Sequence, residues 1–276
     1  MKKCYLAGKI LLLILIMLWT LFPVYWMVSL SFRNSGELAA GLSLLPRSLT
    51  PEHFINLFGK HSFLRSVINS LQVTLISTAA SLAFGLSAAY ILARLRFRYA
   101  LRGPLLFWSF LIRILPPVAF ALPLYIMMNR LGLLNTKIPL ILSHILINIP
   151  FVLWFMISFF NGVPEAMEES GKMDGAGEGL IFIKIILPLV APGIAASGIL
   201  SFMTSWNEYL YGAIFVQSPS QFTIPLNLST LNSEQELTQW GTLCAGGVLS
   251  LVPVALFILF TQNLLIQGLS SGSVKE

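Results

Sequence analysis

The stretch EAMEESGKMDGAGE, from Glu165 to Glu178, decides how the rest of this sequence is read. It holds five acidic residues, whereas the whole chain of 276 residues has only eleven. Long apolar runs lie on either side of it. In a chain with so little charge, a window of this kind indicates a segment that meets water or another polar surface.

The composition of the chain is that of a membrane protein. Hydrophobic residues make up 56% of it and the mean hydropathy is +0.82, both far above soluble domains. A bilayer core needs about 20 apolar residues per helix. We therefore predict an all-α, polytopic membrane protein with six transmembrane helices and no room for a separate soluble domain. The predicted spans are about Ile10–Ser31, Val67–Ala93, Pro104–Met128, Ile138–Phe160, Leu189–Val216 and Thr242–Leu265.

The basic residues predict the topology. The short loop ARLRFRYALR, residues 93–102, has four arginines and no acid, whereas the loop containing Glu234 and Glu236 has no base. The positive-inside rule then places both termini in the cytoplasm. This distribution explains the pI of about 9.5 without a nucleic-acid partner. His53 and His61 fall in the long outer loop, where we expect them to be solvated.

On this topology the acidic window lies on the cytoplasmic side, between the fourth and fifth spans. Pro164 can start a short helix, with Glu165, Glu168 and Glu169 near the positive end of its dipole. The residues DGAG supply a turn, and LIFIKIILP is a second amphipathic stretch that ends at Pro188. We predict a helix–turn–helix with its acids facing the cytosol; a solvated loop is the alternative.

The spacing within this window resembles the EAA motif of bacterial ABC importer permeases, E-A-A-x3-G-x9-I-x-L-P. The residues at the positions of the motif are Glu169, Ser170, Gly171, Gly175, Ile185, Leu187 and Pro188. Ser170 and Gly171 replace the two alanines of the motif. In that family this element is the coupling helix, which docks in a cleft of the ATP-binding subunit. The resemblance implies a coupling helix at about residues 164–188.

Other fragments resemble the MalG-like branch of the carbohydrate importer permeases, in the same order along the chain. They are SAAYILARLRFRYALRG, RILPPVAFALPLYIMMNRLGLLNT, SWNEYLY, FTIPLNL and GLSSGSVKE. The resemblance implies the type I importer fold in a bacterial inner membrane. It divides the chain into a first helix and extracytoplasmic loop (1–66), a five-helix transmembrane domain (67–266) and a cytoplasmic tail (267–276).

The family also implies the partners. These are a second permease, two ATP-binding subunits, an extracytoplasmic solute-binding protein and a sugar-like substrate. No cofactor is expected on this chain, since ATP and Mg²⁺ would bind the ATP-binding subunit. The residues expected at the coupling interface are Glu165, Met167, Glu168, Glu169, Ser170, Gly171, Met173, Asp174 and Gly175.

A second set of residues is expected to line the translocation path, because charged and amide groups at membrane depth are costly without a use. The set is Arg113, Pro116, Asn148, Trp206, Asn207, Glu208 and Tyr211. Arg113 and Glu208 are the charged residues predicted well inside a span, although either could reach toward a surface. Asn148 could instead bond between helices beside Pro150, and we interpret His144 as a core histidine.

Small residues recur at every fourth position in the second and fifth spans. They are Ser77, Ser81, Gly85, Ala89 and Ala93 in one, and Gly193, Ser197, Ser201 and Ser205 in the other. Stripes of this kind let helix backbones approach closely. We therefore interpret them as helix-packing surfaces rather than ligand sites.

Two other classes of protein are alternatives to an importer permease. A membrane enzyme would need a metal or nucleophile motif such as HExxH, and the sequence has none, nor a Walker A pattern for ATP. A secondary transporter or channel not coupled to ATP remains the alternative, although such proteins usually show repeat symmetry and several intramembrane acids.

Overall fold

A computed structural model of the chain describes residues 2–41, 43–94, 99–233 and 239–271. Over these residues the chain is helical and has no strand, which confirms the predicted all-α class. The helices are α1 (Lys2–Ser31), α2 (Ser35–Ala40), α3 (Glu52–Lys60), α4 (Phe63–Arg94), α5 (Tyr99–Ile114), α6 (Pro117–Arg130), α7 (Ile138–Gly162), α8 (Ala166–Met173), α9 (Glu178–Ile181), α10 (Leu187–Leu189), α11 (Ala191–Trp206), α12 (Leu210–Phe215), α13 (Ile224–Ser233) and α14 (Gln239–Ser271). A π-helical stretch, Phe182–Ile186, joins α9 to α10.

Four of the described helices are long and apolar enough to cross a bilayer alone. They are Gly8–Ser31, Phe63–Arg94, Ile138–Gly162 and Trp240–Leu259. Two further pairs meet the same test only together, Arg102–Ile114 with Pro117–Arg130 and Glu178–Leu189 with Ala191–Trp206. Counting each pair as one span gives the six predicted. The third predicted span is therefore a broken helix, bent by 99°, whereas the 80° bend lies at the start of the fifth predicted span, where the stretch that ends at Leu189 meets α11.

The break in the third span follows from its two adjacent prolines. Pro116 has φ −62° and ψ 140°, an extended conformation. A residue that precedes proline is disfavoured in the helical region, because the Pro117 ring crowds its backbone. Pro117 in turn suits the first turn of α6, where its missing N–H is not needed. Pro123, inside α6, causes no comparable break.

The fifth predicted span differs at both ends. Val190 leaves helical geometry with ψ 12°, just before Pro192 in the first turn of α11. Pro192 has no N–H to continue the ladder of the preceding helix. At the other end α11 stops at Trp206, and the predicted span to Val216 is wrong. Residues 207–209 are not helical, and the short α12 follows.

The structure divides into two compact units by contact density. One comprises Met1–Val67 with Ile224–Pro253, and the other comprises Ile68–Thr223 with Val254–Glu276.

In the first unit the loop after α1 is ordered by a buried arginine. Arg33 is fully buried, donates hydrogen bonds to Ser29 and Ser43, and lies 3.7 Å from the Glu37 carboxylate. Backbone N–H groups of Arg47 and Ser48 also donate to that carboxylate, and the Arg47 bond is the main reason that the pKa of Glu37 is lowered. This loop therefore has a defined fold.

His53 in this unit is not solvated, contrary to the prediction. It is buried, and its Nδ1 lies 3.2 Å from Thr242 Oγ1. A Cβ on Gly241 would lie 2.0 Å from its Nε2, so only glycine fits beside the ring. Burial lowers the pKa of His53, since the charged imidazolium is disfavoured away from water.

The core of the second unit forms where α4, α7 and α11 pack together. The two stripes of small residues face this core, which agrees with their interpretation as packing surfaces. A Cβ on Gly85 would lie 2.7 Å from Val152, and one on Gly193 would lie 2.7 Å from Phe159. Both glycines thus allow an approach that alanine would hinder. At one end of these helices, the segment from α8 to α10 packs on α4 and α7.

Some predicted features lie outside the described residues. These include Arg96 and Arg98 of the basic loop, Glu234 and Glu236 of the acidic loop, and residues 272–276 of the predicted tail. Residues 267–271, also assigned to the tail, belong to α14.

Candidate functional site

The acidic window forms the predicted short helix, α8, with a defined stop. Gly175 has φ +80°, a left-handed conformation that glycine adopts without strain. The N–H of Ala176 donates to the carbonyl of Gly171, and that of Gly175 donates to the carbonyl of Lys172, both at 3.0 Å. This pair of bonds is the Schellman motif, which closes a helix end and reverses the chain. The turn brings the segment that follows back against α8.

The two faces of α8 differ sharply. Most residues of the predicted coupling interface are exposed, and the Met173 side chain is 87% exposed. The exposed residues are Glu165, Met167, Glu169, Ser170, Met173, Asp174 and Gly175. Glu168 and Gly171 are buried instead. The prediction that all the acids of this window face solvent is therefore wrong for Glu168.

Glu168 is buried because it pairs with a cation on α4. Its Oε1 lies 2.7 Å from Arg94 Nε, and the Tyr90 hydroxyl donates to its Oε2 at 3.3 Å. Arg94 also donates to the carbonyl of Val163, at the end of α7. A carboxylate can leave water only when it is paired and hydrogen-bonded in this way. The pair joins α8 to the last turn of α4.

The motif spacing that the sequence showed is explained by packing around Gly171. A Cβ there would lie 2.8 Å from Ile185 Cδ1 and 3.2 Å from Ile181 Cγ1. The small residue and the isoleucine of the motif are thus neighbours across the turn. Lys172 and Glu178 form an exposed ion pair at 2.7 Å over the same turn, and the hydrogen bond to Glu178 raises the pKa of Lys172.

The predicted translocation residues fall into separate groups. Asn148 on α7 is buried, and its Nδ2 donates to Ser205 Oγ at 2.8 Å and to the Ser201 carbonyl at 3.4 Å. The Ser77 hydroxyl on α4 in turn donates to Ser205 Oγ at 3.3 Å. Asn148 therefore makes the interhelical bond that was its alternative interpretation. These contacts join α4, α7 and α11 with neutral groups.

Glu208 lies just beyond the end of α11 rather than deep inside a continuous span. Its Oε2 is 3.3 Å from His144 Nε2, and its Oε1 accepts a hydrogen bond from the Tyr211 N–H at 2.8 Å. The second bond satisfies an N–H at the start of α12, as a capping side chain does. The Tyr211 hydroxyl donates to the Pro117 carbonyl at 2.9 Å. Glu208 and Tyr211 thus connect α7, α12 and the first turn of α6.

The remaining residues of this set lie apart from that connection. Arg113 occupies the last turn of α5, is exposed, and has its guanidinium 4.9 Å from the centre of the Phe151 ring. Pro116 is exposed at the bend that follows. Trp206 is buried and stacks on Phe202, while Asn207 is exposed and donates to the Met203 carbonyl. Arg113 and Glu208 therefore both lie at helix breaks.

The chemistry of both regions is that of binding and positioning. Over the residues that the structure describes, no group of three or more His, Cys, Asp or Glu side chains could hold a metal ion. The exposed face of α8 offers carboxylates and two thioethers, which suit a basic protein surface with apolar pockets.

Three contacts of the candidate site residues are not predicted by the sequence. They are those of Tyr90 and Arg94 with Glu168, and that of His144 with Glu208. The Tyr90–Glu168 contact spans 78 residues, and no local periodicity reports a pairing at that separation. The one available signal was that Glu168, at i−1 from the motif glutamate, falls on the same helix face as Gly171.

Comparisons with known proteins agree with this architecture. Residues 81–271 match the family described as "Binding-protein-dependent transport system inner membrane component". The trehalose transport system permease protein SugB of Mycobacterium tuberculosis is 32% identical over 260 residues, 93% of each chain. The arabinooligosaccharides transport system permease protein AraQ of Halalkalibacterium halodurans is 33% identical over 264 residues, 92% of this chain and 91% of that one.

The fold is also found among solved structures. A chain from the crystal structure of a bacterial ABC transporter involved in the import of the acidic polysaccharide alginate superimposes with a TM-score of 0.80. It is 20% identical, and the match covers 95% of this chain and 96% of that one. At this identity the likeness concerns the fold alone. The family match and the curated relatives together establish that the chain is a member of the family of inner-membrane components of binding-protein-dependent transport systems.

Proposed function

We propose that this chain is a permease subunit of an ATP-driven importer for a carbohydrate or a related polyol. It would form the translocation path with a second permease and take solute from an extracytoplasmic binding protein. Two ATP-binding subunits would hydrolyse ATP, so the chain itself is not an enzyme and needs no cofactor. The relatives named for trehalose and arabinooligosaccharide transport support a carbohydrate substrate.

The observation that carries this proposal is the two-faced helix α8. Its inner face is held by Glu168 and Gly171, whereas Glu165, Glu169 and Met173 are exposed to solvent. Exposed acids beside flexible apolar side chains fit a partner with a basic, partly apolar cleft. We infer that this face is the coupling interface with the ATP-binding subunit.

The direct experiment changes the exposed face and the turn. Glu169→Lys should place like charges together across the interface, and Gly175→Val should strain the left-handed turn that aims the helix. Both variants should insert normally but lose co-purification of the ATP-binding subunit or substrate-stimulated ATP hydrolysis. Wild-type assembly and stimulation in both would remove α8 as the coupling element.

The same proposal includes the topology and the division of the chain. Both termini would be cytoplasmic, residues 1–66 would precede a five-helix domain at 67–266, and the end of the chain would follow it. Cysteines introduced at Arg98 and Gln235 test this topology with a membrane-impermeant reagent. The first should react only from the cytoplasm and the second only from outside, and the reverse pattern would refute the topology.

The substrate is best identified through the solute-binding protein that works with this permease. A thermal-shift screen of that protein against mono-, di- and oligosaccharides, polyols and glycerol phosphates separates the candidates. Stabilisation by a carbohydrate or polyol supports the proposed class, because a ligand that binds the folded state raises its melting temperature. Stabilisation only by a solute of another class would contradict it.

A further inference from the structure

The helix α8 makes two kinds of contact with the rest of its unit, one with the segment after the turn and one with α4. Gly171 packs against Ile181 and Ile185, which belong to the segment that directly follows the turn. Glu168 reaches instead to Arg94, on a helix far away in sequence. The first attachment closes the helical hairpin on itself. The second connects the hairpin to α4, which leads to the Ser77–Ser205 contact with α11.

Tyr90 strengthens the second attachment. Its hydroxyl donates to Glu168, while its ring lies 4.7 Å from that of Phe182 and 5.6 Å from that of Phe160. The same residue therefore contacts α8, the π-helical stretch after the turn, and α7. Arg94 adds a bond to the Val163 carbonyl, between α7 and α8. Four segments of the chain meet at these two side chains.

The burial of the ion pair indicates a role in position rather than in stability alone. Removing two charges from water offsets most of their attraction, so apolar side chains of similar volume would hold the two helices together equally well. Apolar packing, however, lets helices slide, whereas the 2.7 Å contact of Arg94 with Glu168 opposes sliding, because a shift would separate two charges that are shielded from water. A contact that must transmit movement needs the second property.

We propose that Arg94 and Glu168 form a positioning pair that makes α4 move with the coupling helix. When the ATP-binding subunits close and displace α8, the pair carries the displacement to α4 and hence to the helices that α4 contacts. This inference rests on the proposed function of α8. Glu168 would thus act through Arg94, and it would not itself meet the ATP-binding subunit.

The exposed pair on the same segment provides a matched control. Lys172 and Glu178 are also 2.7 Å apart, but their side chains are 51% and 55% exposed. Exposed ion pairs contribute little because water and salt screen them. Glu178→Gln therefore removes one carboxylate charge from this segment without touching the attachment to α4. Glu168→Gln removes one charge of the same type from the buried pair.

The test measures the distance between α8 and α4 in the assembled transporter. Spin labels at Ala166 and Phe84, both exposed and both outside the residues assigned to the coupling interface, report on the two helices by pulsed electron spin resonance, in a background without Cys4 and Cys244. Trapping with ATP and vanadate closes the ATP-binding subunits without any transported solute. The distance should stay constant on trapping in the otherwise unchanged protein and in Glu178→Gln. In Glu168→Gln it should shift or broaden on trapping.

Two further variants keep the result decisive. Exchanging the partners, Arg94→Glu with Glu168→Arg, should restore a constant distance between the labels. Tyr90→Phe removes only the hydrogen bond to Glu168, so its change in distance on trapping should be smaller than that of Glu168→Gln. This variant also provides a measurement if Glu168→Gln assembles poorly. The proposal is overturned if the distance changes on trapping in the unchanged protein, or stays constant in Glu168→Gln. Glu169→Lys in the same assay separates the two hypotheses, because loss of the ATP-binding subunit there tests the docking of α8 and not its attachment to α4.

Discussion

Two glutamates of the second unit have nearly the same burial and opposite structural consequences. The side chains of Glu168 and Glu208 are 11% and 12% exposed. Glu168 pairs with an arginine, whose charge is permanent, and fastens one helix to another. Glu208 pairs with His144, whose charge depends on its proton, and with the N–H of Tyr211. Glu168 therefore joins two helices, whereas Glu208 caps the start of one, α12.

Glu168 and Glu208 show that the partner of a buried carboxylate determines its structural role. Where the partner is a fixed cation, the pair forms a rigid connection whose loss leaves a buried charge. Where the partners are an imidazole and a backbone N–H, the carboxylate supports a helix break, and breaks are where irregular backbone can face a cavity. The first arrangement suits force transmission, and the second suits a translocation path.

The largest effect should come from removing the arginine of the rigid pair. Arg94→Ala leaves the Glu168 carboxylate buried without its cation, and breaking a buried pair in this way costs about 3–5 kcal/mol. Thermal unfolding of the purified permease should shift to clearly lower temperature. Arg113→Ala is the matched control, because that arginine is exposed and its ring contact contributes about 1 kcal/mol or less. Equal shifts of the unfolding temperature in Arg94→Ala and Arg113→Ala would contradict the proposed difference between the buried and the exposed arginine.

An intermediate effect is expected at the helix break, and it should appear in transport. Glu208→Ala removes the acceptor for Tyr211 N–H and the partner of His144, at a cost of about 1.5–3 kcal/mol for a hydrogen bond to a charged group. Glu208→Gln keeps an acceptor in the same place. Uptake by membrane vesicles should fall in the alanine variant, with assembly retained, and should remain closer to normal in the glutamine variant.

The role of Arg113 is tested in the same assay. Its exposed position at a bend predicts that Arg113→Ala reduces uptake while leaving the complex assembled. If uptake remains at the wild-type rate in both Arg113→Ala and Glu208→Ala, the translocation role of the helix breaks is refuted.

The smallest effect should come from the neutral contact between helices. Asn148→Ala removes the donor to Ser205, and hydrogen bonds between membrane helices average about 0.6 kcal/mol. The unfolding temperature should fall slightly, and less than in Glu208→Ala. Thr204→Ala serves as the control, because that exposed hydroxyl bonds only within its own helix. If Asn148→Ala lowered the unfolding temperature as much as Arg94→Ala does, the neutral contact would stabilise the protein as much as the charged pair, which would contradict this ranking.

The sequence predicts those features that depend on local chemistry. Runs of apolar residues identified the spans, and the residues DGAG identified the turn after α8. What failed depends on distant partners. Glu168 was assigned to solvent because Arg94 lies in another part of the sequence, and His53 was assigned to a solvated loop because Thr242 and Gly241 are near the other end of the chain.

The end of the fifth span failed for a different reason. Hydropathy continues through residues 210–216, so the window of apolar residues did not end at Trp206. Just after Trp206 the Asn207 side chain donates to the Met203 carbonyl and the Glu208 side chain accepts from the Tyr211 N–H, local bonds that are typical of helix ends. A hydropathy average does not register such bonds.

Site-specific photocrosslinking tests whether the exposed face of α8 docks on the ATP-binding subunit, as we propose. A benzophenone amino acid at Met173 projects from that face, whereas the same probe at Ile183, 59% exposed, lies on the stretch after the turn. In the assembled transporter the probe at Met173 should capture the ATP-binding subunit, and the probe at Ile183 should not. Capture at Ile183 but not at Met173 would contradict the account.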